Sequence, residues 1–295
     1  MPMSIKEHLG AYHVSLQDML TAYVKKNEHY FRYPAKYNVK PFRIIGDLYY
    51  VGDARVCVHL LDTHDGLILF DSGFHHTIHL LVQAIWEAGF DPKDIRYIIH
   101  SHGHYDHFGA TNDFKELYGC KTFLSAVDAE LLRENPARSL MEYCPNPWAE
   151  NIVPDVEIND GDIIRLGDQE IRCVLVPSHT SGTMAFFFNV KEGDKVYRVG
   201  YYGGVGFLSV YKEYLEKYNL PLSLQDDFFR SLDKVYDEQV DVVLGNHPSQ
   251  NSTLEKRKKM LENPDGPNPF ICPTEWQTFL DTIRGQFQDF VDAGY

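Results

Sequence analysis

Six consecutive residues, His102-Gly103-His104-Tyr105-Asp106-His107, carry four side chains able to ligate a metal ion. Imidazole nitrogen and carboxylate oxygen are ligands that Zn²⁺ takes, and a catalytic zinc keeps a position open for water. A histidine pair at i and i+2 can converge where a strand runs into a loop. Asp106 and His107 are adjacent, so they must diverge from that pair or serve a second ion. Two isolated histidines join the group: His179 in Pro177-Ser178-His179-Thr180-Ser181-Gly182-Thr183, and His247 in Gly245-Asn246-His247-Pro248. Each follows a run of strand-forming residues, ending at Val176 and Leu244, as His102 follows Ile95 to Ile99. Open α/β architectures collect their ligand sites at such strand ends.

The elements that must hold these loops are visible in the hydrophobic pattern. Segments 43–51, 55–62 and 67–71 read as strands, parted by the turn pairs Gly52-Asp53 and Asp65-Gly66. Ile78, Leu81, Val82, Ile85 and Trp86 recur at helical intervals, with Gly89 placed to end that helix. Strands are predicted at 95–99, 121–124, 163–166, 170–176, 184–190, 196–200 and 240–244. Helices are predicted at 111–118, 127–134, 223–237, 253–262 and 274–291. The last presents a stripe of Trp276, Phe279, Leu280, Ile283, Phe287 and Phe290. Strand runs flanked by helices predict sheets covered by helices. Residues 42–295 read as one domain. Residues 1–41 read as an extension, with Leu9, Tyr12, Leu16, Met19, Leu20 and Tyr23 at rough helical spacing, followed by a Tyr- and Asn-rich stretch. Such a piece buries little by itself, so it must pack on the body or on a partner subunit, and a homo-oligomer through this arm is one expectation.

Charge and cysteine usage narrow the function. With 28 Lys and Arg against 42 Asp and Glu, the formal net charge is −14. So acidic a surface repels phosphate backbones, which argues against a nucleic-acid partner. The run Lys256-Arg257-Lys258-Lys259 falls in a predicted helix and reads as a solvated face. Cys57, Cys120, Cys144, Cys173 and Cys272 are odd in number and form no CxxC pair, which predicts buried, reduced thiols. MPMSIKEHLG lacks a signal-type apolar core, and no stretch has the length of a membrane span; the expected location is the cytoplasm, with no membrane partner.

The histidine motif, the Ser-His-Thr turn and the late Asn-His-Pro resemble the metallo-β-lactamase superfamily, which implies a four-layer αββα sandwich with two mixed β-sheets. Ile68-Leu69-Phe70-Asp71-Ser72-Gly73 resembles that superfamily's strand ending in a bracing Asp. Within it, the chain is most similar to the third subclass of class B β-lactamases. Pro41 to Gly52, His247-Pro248-Ser249 and Asn268-Pro269-Phe270-Ile271 carry that likeness, which covers roughly residues 41–295. The resemblance implies two zinc ions, one on His102, His104 and His179, the other on Asp106, His107 and His247. Asp71 would then fix ligand orientation by hydrogen bonding.

The chemistry so implied is hydrolysis of a small-molecule substrate. Two zinc ions sharing a hydroxide would generate a nucleophile at neutral pH, with Asp106 orienting it. Amide, lactone, ester and thioester carbonyls all suit this machinery. Tyr105, Tyr201, Tyr202 and Asn246 lie near the ligands in sequence; Tyr201 and Asn246 are the candidates for a catalytic role beside Asp106, as donors to a developing oxyanion. His75 and His76 follow the Asp71 turn and read as exposed loop, while His100 should point away from the ligands. Thioesterase-like relatives use a bridging Asp after the next strand, but no acidic residue lies between Asp194 and Glu213. The β-lactamase subclass usually has serines there, where this chain has Gly203, Gly204 and Gly206, offering backbone NH groups and space. With no export leader, β-lactam cleavage is expected as a side activity and not as the native task. An iron-dependent oxidoreductase of the same fold is the alternative. Specificity is assigned to loops 144–156 and 201–222, the first stiffened by Pro145, Pro147 and Trp148.

Overall fold

The computed structural model describes residues 15–144, 146 and 148–295. Leu9, Tyr12, Pro145 and Pro147 fall outside these residues. Helix α1 (Leu16–Arg32) opens the described chain, its N-terminus capped by the Ser15 side chain, which accepts from the Asp18 amide. Strands β1 (Phe42–Ile45), β2 (Leu48–Tyr50), β3 (His59–Asp62) and β4 (Leu67–Phe70) then form an antiparallel meander. β5 (Ile95–Ile99), β6 (Lys121–Ser125) and β7 (Val156–Ile158) add to its edge in parallel, completing a mixed seven-stranded sheet. The crossovers run through helices α2 (Ile78–Glu87), α3 (Tyr105–Phe108), α4 (Thr111–Tyr118) and α5 (Ala126–Glu134).

The second sheet has five strands. β8 (Ile163–Leu166), β9 (Gln169–Leu175), β10 (Met184–Glu192) and β11 (Lys195–Tyr202) pair antiparallel, and β12 (Val242–Gly245) lies parallel to β11. α6 (Lys212–Lys217), α7 (Leu224–Lys234), α8 (Thr253–Glu262) and α9 (Glu275–Asp292) complete the chain.

Three apolar layers hold the sheets and helices together. Between the sheets, Ile68 and Phe70 meet Phe186, Phe188 and Tyr201, and the Phe70 and Phe188 rings stack at 5.2 Å. Outside the first sheet, Leu60, Leu69 and Ile98 pack on Leu81, Ile85 and Phe114 of α2 and α4. Outside the second, Phe187 and Val243 pack on Phe228 of α7 and on Trp276, Leu280 and Phe287 of α9. The result is the four-layer αββα sandwich with two mixed sheets.

Some elements differ from the pattern in the sequence. Segment 43–51 is a hairpin, not one strand. It turns at Gly46 with φ +51°, where a Cβ would lie 2.2 Å from the Lys191 carbonyl oxygen. Segment 55–62 becomes strand only at His59, because the Asp53 carboxylate accepts from the amides of Arg55 and Val56 and curls the chain there. Within the described part of the extension, Leu16–Arg32 is helical. Leu16 and Leu20 of α1 bury in the α7–α9 layer, and Tyr30 donates to Asp53 Oδ2 at 2.6 Å. Among the described residues, no helix is long and apolar enough to cross a membrane.

Candidate metal centre

The loop leaving β5 begins at His100, which is buried and tied down at both ring nitrogens, to the Phe123 carbonyl and to Thr111 Oγ1. β5 ends at Ile99, so strand alternation no longer governs the loop, and His102 turns toward the other histidines. His102 Nε2 lies 3.1 Å from His104 Nδ1, and His179 Nε2, from the loop after β9, lies 2.9 Å from the same atom. The far nitrogens fix the tautomers. His102 Nδ1 donates to the Gly203 carbonyl and His179 Nδ1 to the Gly206 carbonyl, both at 2.8 Å, since a carbonyl can only accept. His104 Nε2 faces Ser209 Oγ at 3.3 Å. Desolvation, reinforced by the neighbouring imidazoles, holds His102 and His104 well below the usual histidine value, and burial brings His179 down to about 4. His102 and His179 therefore aim bare Nε2 lone pairs at His104 Nδ1, bringing three ring nitrogens to one point. That arrangement asks for a cation.

A second group adjoins the first. One-turn helix α3 carries Asp106 and His107, and Asp106 Oδ2 stands 3.4 Å from His107 Nε2 and 3.5 Å from His247 Nε2. His247 Nδ1 donates to the Arg55 carbonyl at 2.8 Å, leaving Nε2 free to face the carboxylate. His107 Nε2 is buried and has no hydrogen-bond partner. Coordinating atoms of His102, Asp106 and His107 also come within 4.8 Å of one another, so the two groups are contiguous. All six sequence-predicted ligand residues thus meet at one end of the sandwich, on loops that follow β5, β9 and β12. A buried polar atom without a partner, beside a carboxylate and bare imidazoles, fits a metal better than any other occupant.

Asp71 stands behind this cluster. At φ +62° the backbone bends sharply after β4 and turns the carboxylate inward. Oδ1 accepts from the Ser101 amide, and Oδ2 accepts from Ser101 Oγ, Tyr201 OH and His107 Nδ1, all at 2.7–2.8 Å. Burial alone would raise this carboxyl, but the facing His107 ring and these donors hold it below the usual range.

The catalytic candidates Tyr201 and Asn246 both lie buried beside the cluster. Tyr201 alternates into the layer between the sheets, and its hydroxyl is given over to Asp71. Asn246 is fully buried and donates to the Gly203 carbonyl at 2.7 Å, steadying the group that orients His102. Each thus braces a group that holds a histidine of the cluster, Asp71 on His107 and the Gly203 carbonyl on His102. Tyr202 faces the α9 layer, and the Tyr105 hydroxyl is buried against Asn146. His75 pairs with Asp113 at 3.4 Å, and His76 packs among Tyr30, Phe31 and Phe74.

Two positioning devices escape a reading of the sequence. Asp128 of α5 is buried and accepts from the Gly103 amide at 2.7 Å, the Gly182 amide at 2.9 Å and Thr180 Oγ1 at 2.7 Å. It staples the loop of His102 and His104 to the loop of His179. Its only sequence signal is Ser125-x-x-Asp128, which looks like a helix cap, and Ser125 Oγ does accept from the Asp128 amide. The second device is the glycine run. A Cβ at Gly203 would lie 2.3 Å from the Met184 carbonyl oxygen, one at Gly204 2.8 Å from His179 Cδ2, and one at Gly206 2.9 Å from His179 Cε1. These glycines let the ligand ring lie against the backbone, and the groups they contribute to it are carbonyl acceptors instead of the NH donors expected.

Two hollows open on this part of the chain, one of them lined by cluster residues. One, of about 660 Å³, is lined by Cys144, Asn146 and Ala149 of the predicted 144–156 flap and by Pro136, Ala137, Met141 and Glu142 before it. The other, of about 230 Å³, opens between α1 and the second ligand group.

Comparison with known proteins agrees with this geometry. Residues 51–193 match the description "Metallo-beta-lactamase superfamily". BJP-1, a subclass B3 metallo-beta-lactamase of Bradyrhizobium japonicum, superposes with a TM-score of 0.74 at 25% identity, over 88% of this chain and 97% of that one. An uncharacterized protein of Aquifex aeolicus is 33% identical over 110 residues, which are 36% of this chain and 48% of that protein. A hydroxyacylglutathione hydrolase of Chelativorans sp. is 28% identical over 108 residues, 37% of this chain and 34% of the relative. The aligned stretches span about half or less of these curated relatives. Taken with the two mixed sheets and the strand-end histidines, these likenesses show that the chain has the metallo-β-lactamase sandwich fold and that residues 51–193 match that superfamily's domain.

Proposed function

We propose that this chain is a zinc-dependent hydrolase with a dinuclear centre, cleaving an ester, thioester, lactone or amide carbonyl of a small molecule. The observation that carries this reading is the convergence of bare ring nitrogens at His102, His104 and His179 beside the partnerless Nε2 of buried His107. His102, His104 and His179 would hold one ion, and Asp106, His107 and His247 the other. Zinc, when bound, supplies Lewis-acid polarisation of a carbonyl and a water acidic enough to attack at neutral pH.

The chain's own groups do the rest. Asp106 Oδ2, between His107 and His247, stays ionised: burial opposes this, but the His107 ring holds its pKa far down. Gly203, Gly206 and Arg55 carbonyls keep three rings in the metal-binding tautomer. The Asp71–Tyr201–Ser101 set and Asp128 keep the loops from splaying. With Tyr201 and Asn246 turned inward, no side-chain oxyanion donor is assigned. The similarity to a hydroxyacylglutathione hydrolase favours testing thioesters first, and the B3 neighbour places β-lactams on the same panel.

The test is to strip the chain with a chelator, titrate Zn²⁺ or Fe²⁺ back, and assay a thioester, ester, lactone and β-lactam panel. Turnover should appear with zinc and saturate near two ions per chain. Turnover on none of the panel at full zinc loading would count against the reading.

A further inference from the structure

Resting on the reading of the cluster as a metal centre, we propose that α1 and the 53–56 turn form an anion-recognising subsite, in which Lys26 with Arg55 takes a carboxylate at the non-scissile end of the substrate. The 230 Å³ hollow beside the second ligand group has Asp106 and His247 on one wall and Tyr23, Lys26, Asn27 and Arg55 on the other. Whatever fills it therefore touches both the chemistry and the N-terminal arm. Lys26 forms no ion pair with a carboxylate among the described residues, and the same holds for Arg55. Asp53, at the start of the turn that carries Arg55, is spent on Tyr30 and on the amides of Arg55 and Val56. Two cations without a carboxylate ion pair among the described residues, lining a hollow with Asp106 and His247 in a chain of net charge −14, make a local reversal of sign suited to a small anion.

The wall is also braced. The Arg55 guanidinium donates to Asn27 Oδ1, and Asn27 Nδ2 donates to the Tyr23 carbonyl at 2.9 Å, so the arginine is held against α1. The Arg55 carbonyl at the same time orients His247. An anion drawn into the hollow would thus lie within one residue of a metal-ligand contact, with the scissile carbonyl directed toward the cluster.

The experiment uses the full, zinc-loaded chain and ω-mercaptocarboxylates of two to five carbons, each paired with its primary amide. A thiolate ligates zinc, so the two members of a pair differ only in the charge offered to the hollow. Calorimetry on the wild type should show at least one acid binding about fivefold or more tightly than its amide. That preference should shrink toward unity in K26Q and invert in K26E, while K195Q, on the distant β10–β11 hairpin, retains it. Equal binding of acid and amide across the series, or a preference surviving in both Lys26 variants, would overturn the subsite alone. Failure of every thiol to bind the zinc-loaded chain would overturn the metal reading and this proposal with it.

Discussion

Asp71 Oδ2 accepts from His107 Nδ1 at 2.8 Å, and this one contact decides that the other nitrogen of His107 faces Asp106 and His247. Replacing Asp71 by Asn keeps a side chain that tolerates the φ of +62°, but offers one acceptor oxygen where four donors converge. Asp71→Asn should weaken zinc at the second ligand group about 10- to 100-fold. Competition against a chromophoric chelator would show it as loss of one of two ions at fixed free zinc. Retention of both at wild-type affinity would remove Asp71 from its bracing role.

Metal binding should be coupled to proton release. Burial alone would push the His107 ring down, but Asp106 and Asp71 on either side draw it up to about 10. A folded value above the unfolded one means that protonated His107 adds stability to the metal-free chain, fully present below about 6.5 and lost as pH rises through about 10. An ion arriving at Nε2 must displace that proton, so zinc affinity should increase with pH between 6 and 8. Calorimetric titration in buffers of different ionisation enthalpy should report release of about one proton at that group. Proton-neutral binding would mean that His107 is not a ligand.

Much of this site was open to inspection in the sequence because its donors are chemically unusual and sit at strand ends. His102 to His107, His179 and His247 needed only residue type and the runs ending at Ile99, Val176 and Leu244. Asp128 did not stand out, because a lone acid in the first turn of a helix has a commoner use as a cap. The carbonyls of Gly203 and Gly206 were invisible because every residue has one, and only the folded loop aims them. The hydrogen bonds of Tyr201 and Asn246 were hidden for another reason: nearness in sequence to a histidine does not reveal which way a side chain on β11 or just after β12 turns. The sandwich was legible where alternation or helical stripes were clean, as in α9. It was blurred where a turn inside an apolar run, at Gly46, made two strands of one.

Asp128 should matter to zinc without touching it. In Asp128→Asn, one of the three donors now on the carboxylate meets an NH₂ group, so the loops of His104 and His179 lose their common anchor. The variant should fold and retain the second group's ion, yet hold the first ion about 10- to 100-fold more weakly. Metal stoichiometry after dialysis against graded chelator is the measurement. Equal weakening at both groups would point to general unfolding instead of a local staple.

Gly204→Ala tests whether the glycine run exists for the ligand ring. A methyl there would stand 2.8 Å from His179 Cδ2 and 3.0 Å from its Cβ, closer than such atoms approach. His179 must swing away or the backbone must move, and either displaces Nε2 from its 2.9 Å approach to His104. One ion per chain and a collapse of hydrolytic turnover are expected, with the far-ultraviolet dichroism unchanged. A Co²⁺-substituted protein would report the altered coordination directly, and a spectrum identical to wild type would show that the loop absorbs the methyl elsewhere.

Tyr30→Phe separates the arm's contribution to stability from its place beside the site. Tyr30 OH donates at 2.6 Å to Asp53 Oδ2, the buried carboxylate whose other oxygen accepts from the amides of Arg55 and Val56. Removing the hydroxyl leaves that oxygen short of a donor, at a cost of about 1–3 kcal/mol. Burial already raises the Asp53 pKa, and losing a donor that lowers it should raise it further. Because the same turn offers the Arg55 carbonyl to His247, the variant should also bind the second zinc more weakly. Urea denaturation with and without zinc resolves the two effects: a midpoint drop in the metal-free chain reports the hydrogen bond, and a larger drop in the zinc-loaded chain reports the link to His247. Identical drops in both states would show that the turn holds the arm but does not tune the ligand.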